Sequence, residues 1–131
     1  MNKARIETWI PSAYDALTTV GIAEKGIVKK SFRSQIASFG ASVTMGSLIA
    51  AIAFFSEQNS AKVDRSKLIA AIQAVLQADG VIPQSKTLYD WARDERAAGH
   101  GVPSRDAVLD AAIALKLAMN LYQLDVKEGS K

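Results

Sequence analysis

A basic segment in the first third of the chain is the clearest candidate for chemistry. Four cationic residues fall within nine positions with no acid between them: Lys25, Lys29, Lys30 and Arg33. In a helix that includes this segment, Lys29 and Arg33 lie one turn apart on one face. Such a cluster can follow the phosphates of a nucleic acid, with Ser31, Ser34 and Gln35 as neutral donors beside it. The alternative is an ordinary solvated helix face.

The net charge of +3 is unevenly distributed along the chain. Residues 1–67 carry nine Lys and Arg against five Asp and Glu, whereas residues 68–131 carry seven against eight. The first part therefore has a charge of +4 and the second a charge of −1. Arg65 and Lys67 add two further candidate phosphate contacts to the basic first part.

Arg93 and His100 form the one arrangement that suggests catalysis. They are seven residues apart, and small helical ribonucleases of the HEPN class carry an arginine followed by a histidine at similar spacing. Here Gly99 and Gly101 flank the histidine, which predicts a helix end rather than a rigidly held general base. We expect an exposed loop histidine, and RNA cleavage by this pair is the alternative.

The sequence lacks the residues and motifs of most other catalytic sites. There is no cysteine and only one histidine, which excludes cysteine nucleophiles and iron–sulfur clusters and argues against zinc sites and histidine-based triads. No glycine-rich phosphate loop of a standard pattern is present. We therefore expect a binding protein with no catalytic residue, no metal and no cofactor.

The larger aromatic residues are expected to lie in the core. They recur at helical spacing among leucine and isoleucine neighbours: Trp9, Tyr14, Tyr89, Trp91 and Tyr122. Aromatic rings can also stack on nucleic-acid bases. The helical spacing favours core packing instead.

Length and composition predict one soluble domain over residues 1–131. The hydrophobic fraction is 49%, and a chain of this length can form a core without a disulfide or metal. The longest apolar run, Leu48–Phe55, is far shorter than the ~20 residues that cross a bilayer. The first ten residues lack the apolar core of a signal peptide. We expect a cytoplasmic protein with no membrane association.

Hydrophobic periodicity and the scarcity of glycine and proline predict an all-α protein, a single compact bundle of about six helices. Helices 1 and 2 are expected over about residues 3–20 and 29–43, with Pro11 either kinking helix 1 or lying in its first turn. Helix 3 is expected over Leu48–Phe55, and helix 4 from an N-cap at Asp64 to Gly80. Helix 5 is expected to follow Pro83 and to stop near Gly99. Helix 6 is expected to run from an N-cap at Ser104 through Leu124.

The sequence also predicts which helix is central and where the chain is frayed. Leu48–Phe55 is apolar on every face, which predicts a buried central helix surrounded by the others. Residues 125–131 are expected to be a frayed tail.

The stretch Ser31–Phe55 carries a resemblance to a known family. It reads SFRSQIASFGASVTMGSLIAAIAFF, and it resembles the core signature of the small subunit of the type III-B (Cmr) CRISPR RNA-guided effector complex. In that family an aromatic residue and a serine open a helix, a glycine marks a break, and an Ala/Leu-rich helix ends in Ala-Phe. The matching positions are Phe32 and Ser34, then Gly46, then Leu48, Ala51, Ile52, Ala53 and Phe54. This chain has Ala37-Ser38-Phe39 where the family often has a leucine-proline pair, and Ala50 where a glutamine is frequent.

The resemblance implies a non-catalytic subunit of an antiviral ribonucleoprotein. Members of the family stack head to tail beside the other Cmr subunits, and a basic face helps to hold single-stranded target RNA paired to the guide. Base pairing then reads the sequence, so the subunit needs affinity only for backbone and shape. The expected RNA-backbone contacts are Lys25, Lys29, Lys30 and Arg33, followed by Arg65 and Lys67. A purely structural helical adaptor is the other alternative.

Overall fold

The computed structural model describes residues 1–57 and 64–125. This part of the chain forms six helices and three short strands: α1 Lys3–Thr19, β1 Ala23–Glu24, β2 Ile27–Lys29, α2 Lys30–Met45, α3 Leu48–Phe55, α4 Ser66–Ala78, α5 Leu88–Ala97, α6 Gly101–Met119 and β3 Gln123–Asp125. The predicted bundle of about six helices is confirmed.

Helix α6 is the centre of the bundle. It packs against α1, α2, α4 and α5, and ten of its residues are buried. Five of the ten are alanines: Ala107, Ala111, Ala112, Ala114 and Ala118. Small side chains let several neighbouring helices approach one axis closely, because no long side chain holds them apart.

The prediction that helix 3 is buried on all sides is wrong. Only Ala51, Ile52 and Phe55 are buried in α3, and Phe54 is 56% exposed. The helix is eight residues long and packs one face against α2, α4 and α5. The apolar run therefore predicted the bounds of α3 correctly, but it did not predict that another helix, α6, occupies the centre of the fold.

A three-stranded sheet, which the sequence did not predict, joins the segment between α1 and α2 to the last described residues of the chain. Strand β2 pairs antiparallel with β1 and parallel with β3, so that Lys29 lies opposite Asp125. Strands of two or three residues give almost no periodic signal. The tail prediction is wrong at Asp125, which belongs to β3, while residues 126–131 lie outside the described residues.

Several helix starts differ from the prediction. Helix α6 begins at Gly101, and Ser104 is a buried helical residue whose hydroxyl donates to the Gly101 carbonyl at 3.0 Å, not an N-cap. Pro103 fits within this first turn because the first amides of a helix have no intrahelical acceptor. Pro11 instead lies in the middle of α1, which continues through it. Helix α4 begins at Ser66, two residues after Asp64.

Candidate nucleic-acid interface

The tip of the β1–β2 hairpin presents Lys25 to solvent. Lys25 and Gly26 form a two-residue turn, with φ angles of 54° and 77°. Positive φ at both central residues is the turn geometry that matches the twist of a hairpin, and Gly26 adopts it without steric cost. A lysine in this region costs about 1 kcal/mol, so the hairpin holds Lys25 in an unfavourable but well-defined conformation.

Lys29, Lys30 and Arg33 lie at the junction between β2 and α2. Lys29 is the last residue of the strand, and the first turn of α2 reads Lys30-Ser-Phe-Arg33. The prediction that Lys29 and Arg33 share one helical face is therefore wrong, because the helix begins one residue later. Cations are unfavourable at the positive end of a helix, by about 0.3–1 kcal/mol each. This placement weakens the helix end locally, and a bound anion would relieve the repulsion.

Lys30 and Arg33 line a shallow groove with a cation that the sequence did not indicate. The groove has a volume of about 350 Å³, and Lys116, near the end of α6, forms its other side. We call it the cationic groove: Lys30, Arg33, Ser34, Ala37, Lys116 and Leu124. Among the residues that the structure describes, its lining includes three cations and no acid. Lys116 is 83 positions from Arg33, so only the packing of α6 beside α2 reveals it.

The other predicted lysines lie in a separate depression of mixed charge. Lys25, Lys29 and Lys67 line it together with three acids, Glu24, Asp64 and Asp125. The Lys67 ammonium also donates to the Gly21 carbonyl, just after the end of α1, at 3.3 Å. Nearby acids lower the local positive potential, so this depression is a weaker phosphate site than the cationic groove.

Arg65 is used inside the fold. Its guanidinium lies 4.5 Å from the centre of the Phe54 ring, and its Nη2 is 3.4 Å from the Glu57 carboxylate. The side chain is only 17% exposed. These contacts cover part of the exposed Phe54 ring, which gives Arg65 a packing role in addition to its charge.

Asp64 holds the start of α4 in place. Its carboxylate accepts hydrogen bonds from the Ser66 hydroxyl at 2.6 Å and from the Ser66 amide at 2.9 Å. The Ser66 hydroxyl, with help from that amide and from Lys67, keeps the pKa of Asp64 below its ordinary value of 3.8. The prediction that Asp64 is the N-cap is wrong, because that position is held by Arg65, but the Asp64 carboxylate still accepts from the first amide of the helix.

Arg93 and His100 engage different acids. The His100 Nδ1 lies 2.7 Å from a carboxylate oxygen of Glu95. Arg93 lies against Asp90 and Asp94, at 3.6 and 3.4 Å, and over the Tyr89 ring. Gly99, with φ 85°, turns the chain at the end of α5 and places His100 on the surface. The predicted exposed histidine is confirmed.

The aromatic residues divide between core and surface. Trp9 and Trp91 are buried as predicted, whereas Tyr14 and Tyr89 are exposed, so the core prediction is wrong for these two tyrosines. Tyr122 stacks on Tyr14 with ring centres 4.5 Å apart. Its hydroxyl donates to the Tyr14 carbonyl and is hydrogen-bonded to Thr18. Burial raises the pKa of Tyr122.

No protein-family model matches the chain, and no curated protein or solved structure shows significant similarity to it. Within residues 1–57 and 64–125, no helix is both long and apolar enough to cross a membrane. In the same described ranges, no three His, Asp or Glu side chains come together in a group that could hold a metal ion.

Proposed function

We propose that this protein binds the sugar–phosphate backbone of single-stranded RNA through the cationic groove. The observation that carries the proposal is the meeting of Lys30, Arg33 and Lys116 around one groove at the positive end of α2. The two cations on α2 weaken the helix end on which they lie. A cost of this kind at a surface site is typical of residues kept for binding.

We further propose that the protein is the small subunit of a type III-B (Cmr) CRISPR effector in the cytoplasm. The resemblance of Ser31–Phe55 to that family supports this role. In it, the subunit stacks head to tail with further copies, contacts other Cmr subunits and holds target RNA on the guide. The cationic groove involves α2, the helix that opens the resembling stretch, so one region of the chain carries both arguments.

The RNA proposal is tested by reversing the charge of the groove. The variant carries Lys30→Glu, Arg33→Glu and Lys116→Glu, and binding to a labelled single-stranded RNA is measured by anisotropy from ~50 to ~200 mM salt. Each phosphate contact contributes roughly 0.7 to the dependence of log affinity on log salt, so the variant should lose a slope of about 2. Two of the substitutions place acids at the positive end of α2, where they favour the helix.

The matched control reverses three cations elsewhere on the surface: Lys86→Glu, Arg96→Glu and Arg105→Glu. This control changes the net charge by the same amount as the groove variant and should weaken RNA binding much less than the groove variant does. Equal losses in the two variants would mean that RNA responds to net charge alone. Wild-type protein that does not bind RNA at ~50 mM salt would contradict the RNA proposal.

The effector proposal has its own test. Tagged protein should co-purify with the other Cmr subunits and with guide RNA when they are expressed together. Its gene should also lie beside a repeat–spacer array. An RNA-binding protein that fails both tests would keep the cationic groove as its site and lose the effector role.

A further inference from the structure

The cationic groove continues into a second, more apolar groove between α2 and α6. This second groove, with a volume of about 370 Å³, shares Ala37 and Lys116 with the cationic groove. Its apolar lining comes from Ile36, Ala37, Gly40, Ala41, Leu109 and Ile113. We call it the α2–α6 groove. Ligand pockets of this size have mainly apolar walls and a few polar groups, which here are Thr44, Asp106, Asp110 and Lys116.

Gly40 forms part of the groove floor, although the fold does not require a glycine at this position. It lies inside α2, where glycine is less stable than alanine by roughly 0.5–1 kcal/mol. Its φ angle is not positive, and a Cβ placed there would meet no atom of the described residues within 4 Å beyond its two neighbours and the adjoining backbone of α2. The missing side chain instead lets an outside group approach the helix backbone closely.

The charges of the groove are arranged along its length. Lys116 lies at the end shared with Lys30 and Arg33. Two acids line the groove further back on α6: Asp110, which is paired with Arg5, and Asp106, which lies ten residues before Lys116 or ~15 Å along the helix. An elongated ligand is therefore favoured if its negative charge lies at the cationic end, because the two carboxylates repel a second negative charge along the rest of the groove.

We propose that the α2–α6 groove receives an unpaired base of the RNA strand whose phosphates lie in the cationic groove. This inference rests on the proposed RNA binding and adds to it a site for the base. One nucleotide combines a phosphate with a flat and mostly apolar base, so a single ligand accounts for both grooves. Proteins that contact RNA bases mostly use unpaired, splayed bases, because the bases of an A-form duplex are stacked and its major groove is too narrow to enter.

A partner helix is the other occupant that such a groove could hold. It would require acidic side chains at one end to face three cations, whereas RNA supplies phosphates along its whole length. The charge complementarity therefore favours RNA, and the helix is an outcome that the test can return.

The experiment blocks the groove without touching its cations. Gly40→Leu adds a side chain to the open space above α2, and Ala41→Leu does the same one residue further along. Ala70→Leu on the exposed side of α4 is the matched control. Each protein is titrated with a short single-stranded RNA and with the same RNA carrying abasic sugars in place of its bases.

Wild-type protein should bind the abasic RNA about tenfold more weakly than the normal RNA, the size expected for one base contact. The Gly40→Leu and Ala41→Leu variants should bind normal RNA about as weakly as the wild type binds abasic RNA. Their affinity for abasic RNA should equal that of the wild type, because the base contact is already absent. Ala70→Leu should behave as the wild type.

Three outcomes would overturn the inference in distinguishable ways. Equal wild-type affinity for normal and abasic RNA would show that no base is held, and would leave the phosphate contacts standing. Loss of affinity on Gly40→Leu that is the same for both RNAs would show that the leucine obstructs the backbone path. Unchanged RNA binding with altered self-association in the blocked variants would assign the groove to a protein partner. The proposed phosphate binding is tested separately by the charge-reversal variant, whose RNA affinity would equal that of its control if the cationic groove did not bind RNA.

Discussion

Arg5 and Asp110, which lie 105 residues apart, form a close ion pair between α1 and α6. The guanidinium donates from Nε and from Nη2 to the same carboxylate oxygen, at 3.0 and 2.6 Å. The Asp110 side chain is 2% exposed and that of Arg5 is 32% exposed. The pair therefore fixes the start of α1 to the central helix and places a charge in the interior that needs its partner.

Removing Arg5 should destabilise the fold strongly. Arg5→Met leaves the buried Asp110 carboxylate without its partner, and the free energy of unfolding should fall by about 3–5 kcal/mol in urea titrations. Arg105→Met is the control, because the partner of Arg105 is the half-exposed Asp106, and the loss there should stay below ~1 kcal/mol. The double variant Arg5→Met/Asp110→Leu should recover most of the loss. Equal effects of the two arginine substitutions would contradict the buried-charge argument.

The contacts of Asp64 with Ser66 should make part of the stability depend on pH. The pKa of Asp64 is lowered in the folded state, so its contribution is present above the unfolded pKa near 3.8 and is lost as pH falls through the lower folded pKa. Ser66→Ala should lower the free energy of unfolding by about 1 kcal/mol at neutral pH. The difference from the wild type should shrink when urea titrations are carried to ~pH 2. A difference that stays constant over this range would mean that the hydroxyl acts independently of the charge.

A glycine inside α2 and the glycine that follows its last residue should respond oppositely to substitution by alanine. Gly40→Ala should raise the free energy of unfolding by about 0.5–1 kcal/mol, because the Cβ meets open space and alanine favours the helix. Gly46 caps the same helix, and a Cβ there would lie 3.0 Å from the Ser42 carbonyl oxygen. Gly46→Ala should therefore lower stability. Thermal unfolding followed by circular dichroism measures both changes, and a destabilising Gly40→Ala would refute the open space assigned above that residue.

Arg65, which the sequence suggests as an RNA contact, should contribute to stability, and Lys116, which the sequence did not indicate, should contribute to RNA binding. Arg65→Ala removes the cover of Phe54 and should lower stability, with about 0.5–1 kcal/mol from the cation–π contact. It should leave the salt dependence of RNA binding nearly unchanged. Lys116→Ala should leave stability nearly unchanged and reduce the salt slope by about 0.7. Calorimetry and RNA anisotropy on both variants decide the assignment, and a larger RNA effect at Arg65 would reverse it.

The candidate site was predicted in part from local sequence. The run from Lys25 to Arg33 is contiguous, so its density of charge is visible without a structure. The run does not show that the chain changes from strand to helix between Lys29 and Lys30. That change separates Lys29, in the mixed depression, from Lys30 and Arg33 in the cationic groove. Which of these residues contact RNA stays a prediction.

Burial was harder to predict than helix type. The apolar run of α3 has the strongest hydrophobic signal, yet α3 packs one face only, and the alanine-rich α6 occupies the centre. Hydropathy measures the preference of each residue for burial, whereas the central position depends on how closely several helices can approach one another. Tyr14 shows the same limit, because its helical spacing fits a core position but its ring stacks on Tyr122 at the surface.

The sequence by itself determined the helical class, the approximate bounds of the helices and the basic segment, because periodicity, capping residues and charge runs act over a few neighbouring positions. The absence of cysteine and the single histidine are likewise properties of composition. Only the tertiary structure decided which charges lie together. It brought Lys116 to Lys30 and Arg33 and Asp125 to Lys29, and it laid Arg65 on Phe54. The contacts of Lys116 and Asp125 join residues more than 80 positions apart, and their geometry follows from the packing of α6 beside α2 and the pairing of β3 with β2.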